Sequence, residues 1–354
     1  MTDGSYIMKK NFAKEPAGER QRYVVGTRQV SVCVQSFSMS DDPFVGLPSN
    51  FGYFGFTPQI EEFVKVNTQG HLALGDCRGV KELYGSEGGK TAIICGSSRS
   101  ILKAKELIPD KGTPGHENLV VFALNAAGVA LGAEKVDYLF ALDYSSRIEW
   151  YPESLRHLPI VMSFNCPDLI GEFFKERYYF ASPVREDAAM REKFGFLDVG
   201  HIASYSAAHM AFKMGVKRIV WVGHEFSYTP DDGRLWNHFN DPLTMDWLAR
   251  HEINYAPDFK GNPVSTCERL MHNMRIVAAI SYMCAEQGIE VINATGQGTL
   301  GIQQEPEGEE SAGVYTMDLN QALERIANAD LREEACPAGN QVHDQHGAEC
   351  LASA

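Results

Sequence analysis

The sequence predicts an α/β protein built on a doubly wound, mostly parallel sheet, with a long insertion and loose termini. Three observations predict it. Short, continuous apolar runs recur along the middle of the chain, among them TAIIC (91–95) and NLVVFAL (118–124). Strands buried on both faces read this way, without the polar alternation of a half-exposed strand. Helical segments alternate with these runs, which is the pattern that builds βαβ units. Two of those segments stop at glycines, Gly215 and Gly288, and glycine readily adopts the left-handed conformation that ends a helix.

Taken in order, residues 1–20 are polar, carry Gly and Pro, and are expected to be loose. QVSVCVQSF (29–37) alternates Val30, Val32 and Val34 and reads as a half-buried strand. Residues 38–90, rich in Gly, Pro and Asp, read as loops with one short helix near PQIEEFVKV. A strand at 91–95 leads into a helix ending near Leu107. The strand at 118–124 precedes a short helix through Leu131, and further strands are expected at 136–143, 158–164 and 177–182. A helix at 204–215 and a strand at 216–223 follow.

Residues 224–264 form a polar and aromatic insertion. A long helix is expected over 265–288, opened by a Ser265/Glu268 capping box. The last strand is 289–295, followed by an acidic linker (303–313) and a short amphipathic helix (319–328). This divides the chain into an accessory region (1–90), a Rossmann-like domain (91–302) with its insertion, and a linker, helix and unfolded tail (303–354). The sequence contains no internal repeat.

The chain has 354 residues and a net charge of −14. That balance argues against a duplex-DNA footprint, which needs a positive surface. No run of 18 apolar residues occurs, so no membrane span is expected. MTDGSYIMKKNF lacks the apolar core of a secretion signal. Of eight cysteines, Cys33, Cys95 and Cys284 lie in apolar segments, the usage of reduced, buried thiols in a cytoplasmic protein. Cys336, His343, His346 and Cys350 sit in the tail without the close cysteine pair of zinc fingers, so no metal site is assigned.

Ligands of open α/β sheets bind beyond the carboxyl ends of the strands. That rule selects Gly96, Ser97, Ser98, Arg99 and Ser100 after the first clear strand, and the loop NATGQGTLGI (293–302) after the last. Gly96 allows close backbone approach, and Ser97 and Ser98 stand at a helix start where the dipole favours an anion. Arg99 and Lys103 add positive charge. The same serines also suit ordinary helix caps. The rule further selects Asn125, Asp143, Ser204, Gly223, His224 and Glu225. Asp143 suits a metal, a ribose or a turn cap.

Three histidines are candidate bases. His272 lies in an otherwise apolar helix, while His224 and His238 lie in or beside the insertion. Tyr228, Trp236 and Phe239 of the insertion suit either a lid that stacks on a ring or a solvent loop fastened by its aromatics. His209 reads as structural, and Asp231-Asp232-Gly233 as a turn.

The blocks AIICGSSRSI, VVFALNAA, VDYLFALD, HIASYSAAHMAFKMGVKRIVWVGHEFSY and GIEVINATGQGTLGI, in this order, resemble the MptE-like superfamily over about residues 90–302. That group is named for 6-hydroxymethylpterin diphosphokinases and includes bacterial motility accessory factors. The layout is also similar to the family-42 sialyltransferases. The resemblance implies that Gly96-Ser97-Ser98 stands for a Gly-Pro-Ser turn at the donor nucleotide's phosphates, with Ser97 replacing proline. It implies nucleotide contacts for Asn125 and Ser204, and a general base at His272. Gly223 and Glu225 match a Gly-x-Asp motif in which Glu replaces Asp.

The activity implied is a nucleotide-dependent transferase, first a glycosyltransferase with a nucleotide-sugar donor. The alternative is an Mg²⁺-dependent pyrophosphokinase using ATP, with Asp143 and Glu225 as carboxylates. A non-catalytic nucleotide-binding protein is the third reading. The partner expected is a small-molecule nucleotide donor. The acceptor (sugar, protein, pterin or modified base) and homo-oligomerisation stay open.

Overall fold

The computed structural model describes residues 20–25, 28–33, 58–144, 146–181, 188–198, 202–231, 234–238, 241–242, 253–306 and 312–335. The chain opens with β1 (Arg20–Val25), β2 (Arg28–Cys33), α1 (Pro58–Ala73) and β3 (Arg78–Gly79). The expected alternation follows as β4 (Thr91–Cys95), α2 (Ile101–Leu107), β5 (Leu119–Leu124), α3 (Ala127–Leu131) and β6 (Tyr138–Ala141). It continues through β7 (Ile160–Ser163), α4 (Asp168–Phe173), β8 (Arg177–Phe180) and α5 (Ala188–Phe194). Next come α6 (Ala203–Met214) and β9 (Arg218–Val222).

The insertion holds β10 (Thr229–Asp231), β11 (Arg234–His238), β12 (Asp241–Pro242), β13 (Asn254–Pro257) and β14 (Pro263–Thr266). The chain then runs through α7 (Glu268–Glu286), β15 (Glu290–Asn293), β16 (Ile302–Gln303), β17 (Val314–Thr316) and α8 (Leu319–Ala335). Among the described residues, no helix is long and apolar enough to cross a membrane.

The main sheet has nine strands in the order β17-β15-β9-β4-β5-β6-β7-β8-β3. Every neighbouring pair is parallel. The architecture is the Rossmann-like α/β fold expected from the sequence. The continuous apolar runs have a direct cause, because successive side chains of a strand point to opposite faces and both faces are covered. In β4, Ala92 and Ile94 join the core under α6 and α7. Ile93 and Cys95 join the opposite core, to which α2, α3, α4 and α8 contribute.

Two strands of the sheet, β3 and β17, lie outside the 91–302 span expected to hold it. β17 follows the acidic linker and pairs with β15. Ala322 and Ile326 of α8 are buried in the core, so the chain beyond 303 carries part of the fold. β16 pairs with β1 in a separate three-stranded sheet that also holds β2.

Several expectations are corrected. α1 has 16 residues where a short helix was expected. Asn67, Thr68 and Gly70 are weak helix formers, but tertiary contacts hold them. Asn67 Nδ2 donates to the Asn165 carbonyl at 2.8 Å, and a Cβ on Gly70 would sit 2.0 Å from Asp168 Oδ2. The Ser265/Glu268 capping box does not form, because Ser265 belongs to β14, paired with Tyr255 of β13. α7 begins at Glu268 behind Cys267, which makes no side-chain cap. Both glycine stops are present, with φ of 82° at Gly215 and 77° at Gly288.

In the insertion, β10–β12 form one antiparallel sheet and β13–β14 a hairpin. Phe239, the tail from residue 336 with its Cys/His set, and residues 1–19 lie outside the described residues.

Candidate functional site

The strand order turns back at β4: β5 to β8 extend from one side of it, and β9 returns to the other. This is the topological switch point, where an open α/β sheet leaves a crevice. Gly96 follows β4 and Gly223 follows β9, and their backbones meet there. A Cβ on Gly96 would stand 2.4 Å from the Gly223 carbonyl oxygen, and one on Gly223 would stand 2.3 Å from that of Gly96. Gly223 also has a φ of 70°, which glycine tolerates and other residues rarely adopt. Gly96 N–H donates to Val222 O at 2.8 Å, and Ser98 N–H to Gly223 O at 3.3 Å.

Glu225, almost wholly buried, lies just beyond. Its Oε1 accepts the Ser100 N–H at 2.6 Å, and its Oε2 accepts the hydroxyl of Thr229. A carboxylate of the protein's own therefore stands at the start of α2. The amides of Gly96, Ser98 and Ser100 donate inside the protein. Ser97 and Arg99 are half-buried in the same turn. The Ser100 hydroxyl is buried without a hydrogen-bond partner.

His224 and Ser204 form a pair. The Ser204 hydroxyl and His224 Nε2 are 2.9 Å apart, and His224 Nδ1 lies 2.9 Å from the Val222 carbonyl. A carbonyl only accepts, so Nδ1 carries the proton. Burial lowers the imidazole pKa to about 4, so the ring is neutral at pH 7 and Nε2 offers a lone pair. Ser204 is then the donor. His224 also contacts Trp221 edge-on at 5.0 Å between ring centroids, and its backbone N–H donates to Thr295 Oγ1 at 3.2 Å.

Asn125 follows the adjacent strand, β5. Its φ is 50°, a left-handed conformation that asparagine tolerates better than most residues. Its N–H donates to Phe140 O at 2.9 Å. Its Oδ1 is buried with no donor. Asp143 follows β6, the strand after that. Burial and then the Asp143 carboxylate raise the pKa of the Cys166 thiol near β7.

His272 lies in the second turn of α7, half-buried. Burial first, and then the neighbouring Arg275, lower its pKa. It is not among the bonding partners of Ser204 or His224. α7 starts at the rim, because Thr266 Oγ1 just before it donates to Phe226 O at 2.8 Å. His238 lies on β11.

The structure thus brings Gly96, Ser98, Ser204, Gly223, His224 and Glu225 together, with Asn125 one strand over and Asp143 two. Ser100, Thr295 and Thr299 lie in segments that the strand-end rule selects without a role assigned to them, and Thr229 lies outside those segments. Thr299 N–H donates to Glu225 O at 2.8 Å, and a Cβ on Gly298 would fall 2.2 Å from that oxygen. Their one sequence signal is position, since Thr295 and Thr299 lie in the loop after the last long strand. The β13–β14 tip is fastened to this loop by Phe259 N–H donating to Gly298 O at 3.1 Å, so this half of the insertion forms a wall.

No protein-family model and no curated protein matches the sequence. Among solved structures, the chain is similar to the MAf glycosyltransferase from Magnetospirillum magneticum AMB-1, with a TM-score of 0.53 and 13% identity. The match covers 81% of this chain and 43% of that one, so the chain spans less than half the length of that protein. At this identity the likeness shows a shared fold. Motility accessory factors belong to the group that the sequence blocks resemble, and the likeness agrees with that resemblance at the level of fold.

Proposed function

We propose that the protein is a nucleotide-dependent transferase, a glycosyltransferase that takes a nucleotide sugar as donor. One observation carries this reading: Gly96, Gly223 and the Ser204–His224 pair converge at the switch point of a parallel sheet, with Asn125 on the adjoining strand. The fold shared with a protein described as a glycosyltransferase supports it.

In this reading Asn125 and Ser204 hold the nucleotide. His272, unprotonated at neutral pH because burial lowers its pKa, takes the proton of the acceptor hydroxyl. That hydroxyl attacks the anomeric carbon as the bond to the nucleotide phosphate breaks. Such a displacement depends chiefly on positioning and charge stabilisation. His224 does not suit the base role, because its Nε2 lone pair already receives the Ser204 proton. The diphosphokinase reading is less supported. Glu225, one of its two candidate carboxylates for Mg²⁺, has both oxygens engaged by Ser100 and Thr229.

The test is turnover with a panel of nucleotide sugars and ATP, in Mg²⁺ and in chelator. The expected result is release of a nucleoside mono- or diphosphate from a sugar donor in either condition. His272→Ala should lower that rate about 100-fold, as expected for loss of a general base. Release of AMP with a diphosphorylated product would instead support the diphosphokinase. Binding without turnover would support the non-catalytic reading.

A further inference from the structure

The Ser204–His224 pair has the geometry of an activated nucleophile. The Ser204 hydroxyl donates to His224 Nε2 across 2.9 Å, and His224 Nδ1–H is held by the Val222 carbonyl at 2.9 Å. A hydroxyl on a neutral imidazole, with the far nitrogen fixed by an acceptor, is the arrangement that activates a serine. Here a backbone carbonyl stands in the place of the usual carboxylate. The ring is confined on another side as well, since a Cβ on Gly96 would stand 3.2 Å from His224 Cε1. Ser204 is the second residue of α6, and Ile202 before the helix makes no side-chain cap. No helix carbonyl reaches the first amides of a helix. The Ala203 and Ser204 N–H groups therefore lie at the positive end of α6 beside the hydroxyl, where the charge of an oxyanion would develop.

We infer that Ser204 is a nucleophile toward short carboxylic esters, with His224 as its base and the first amides of α6 as oxyanion donors. Ser204 Oγ bonds to the ester carbonyl carbon while its proton passes to His224 Nε2. The tetrahedral intermediate expels the alcohol, which takes that proton from His224, and the acyl group stays on Ser204. Water then attacks the acyl carbon and gives a proton to His224. Ser204 Oγ leaves with that proton, and the carboxylic acid is released. The acyl group must be short, because Ser204 and His224 are only 8% and 4% exposed. The ester must be neutral, because the buried Glu225 carboxylate at the same rim repels anions. This activity goes beyond glycosyl transfer and needs no nucleotide.

The test incubates the full chain with p-nitrophenyl acetate and, separately, with a small fluorophosphonate, and reads its peptides by mass spectrometry. One acetyl or one phosphonyl group is expected on Ser204, and none on that residue in protein unfolded in urea. Burial lowers the His224 pKa to about 4, which makes the ring a weak base toward water. Deacylation should therefore be the slow step, seen as an initial burst of p-nitrophenolate. Ser204→Ala and His224→Gln should each lower hydrolysis at least about 100-fold, the usual worth of a general base. The octanoate ester should react at least about tenfold more slowly than the acetate, as for a pocket too small for added methylenes.

Both of those variants disturb a buried pair, so Ser204→Cys provides a second probe. Its thiol keeps a nucleophile and a proton for His224, and it should still take the acetyl group. If the native chain carries no label on Ser204, or if Ser204→Ala hydrolyses the acetate as fast as the unvaried chain, the inference is overturned. Nucleotide sugars added before the label separate this activity from the transferase reading. Protection of Ser204 supports both at one site. Labelling that no nucleotide sugar slows leaves the nucleophile standing and removes Ser204 from the nucleotide contacts.

Discussion

The two ends of the main sheet are built differently. At the amino end most charged side chains meet a partner, with Arg177 Nε at the start of β8 the exception, buried without one. Arg218, leading β9, bonds Glu290 at the start of β15, and Arg325 of α8 reaches the same carboxylate. The Arg218 guanidinium also donates to Thr91 Oγ1 at 3.1 Å. Asp137 accepts the Val121 N–H at 2.8 Å, and Lys111 donates to Val136 O at 2.7 Å.

At the carboxyl end, Asn125 Oδ1 and Ser100 Oγ are left without partners. Two of the three non-glycine residues with positive φ among the described residues, Asn125 and Phe226, also lie there. Strain and unsatisfied polar groups gather where a protein has a task besides staying folded. Under the proposed function, the contrast puts binding at the carboxyl end.

The strongest test of this contrast is its exception, the glycine contact at the switch point. Gly96→Ala would drive a methyl group into the Gly223 carbonyl, backbone that cannot swing aside. A loss of about 4 kcal/mol, among the larger single-residue effects, is expected in urea unfolding. A loss below about 1 kcal/mol would show that the two loops do not pack backbone on backbone.

A smaller effect is expected at the amino end. Arg218→Ala leaves Glu290 with Arg325 alone and should lower stability by about 2 kcal/mol, less than for a buried carboxylate with no partner left. Nucleotide affinity should not change, and a parallel fall in affinity would erase the division between the two ends. The smallest effect is expected at Asn125→Gly. Relief of the left-handed conformation and removal of the orphaned oxygen offset the added chain entropy, for a net change within about 1 kcal/mol. Affinity should still fall. Marked destabilisation without loss of affinity would assign Asn125 to the scaffold.

The strands of the central sheet were legible because burial on both faces leaves a run of apolar residues that needs no partner to be recognised. β3 and β17, two and three residues long, are too short for any period to register. The Ser265/Glu268 pattern misled because a capping box is a local signal, and β13 pulls Ser265 into a hairpin that local spacing does not encode.

At the site, the strand-end rule found Gly96, Asn125, Ser204 and Gly223. It did not reveal that Glu225 fills the helix start it was expected to leave open, or that His224 spends its lone pair on Ser204. Both facts depend on side chains from segments far apart in the chain meeting at one rim.

The neighbours β4 and β9 bear on how the protein is made. Four strands, β5 to β8, leave the ribosome between them. Until β9 arrives, one long border of the nascent sheet has unmet backbone groups, a template for mispairing with other chains. The same arrival closes that border and brings Gly223 against Gly96, so fragments ending before Arg218 lack the switch-point crevice and should be the forms most prone to aggregate.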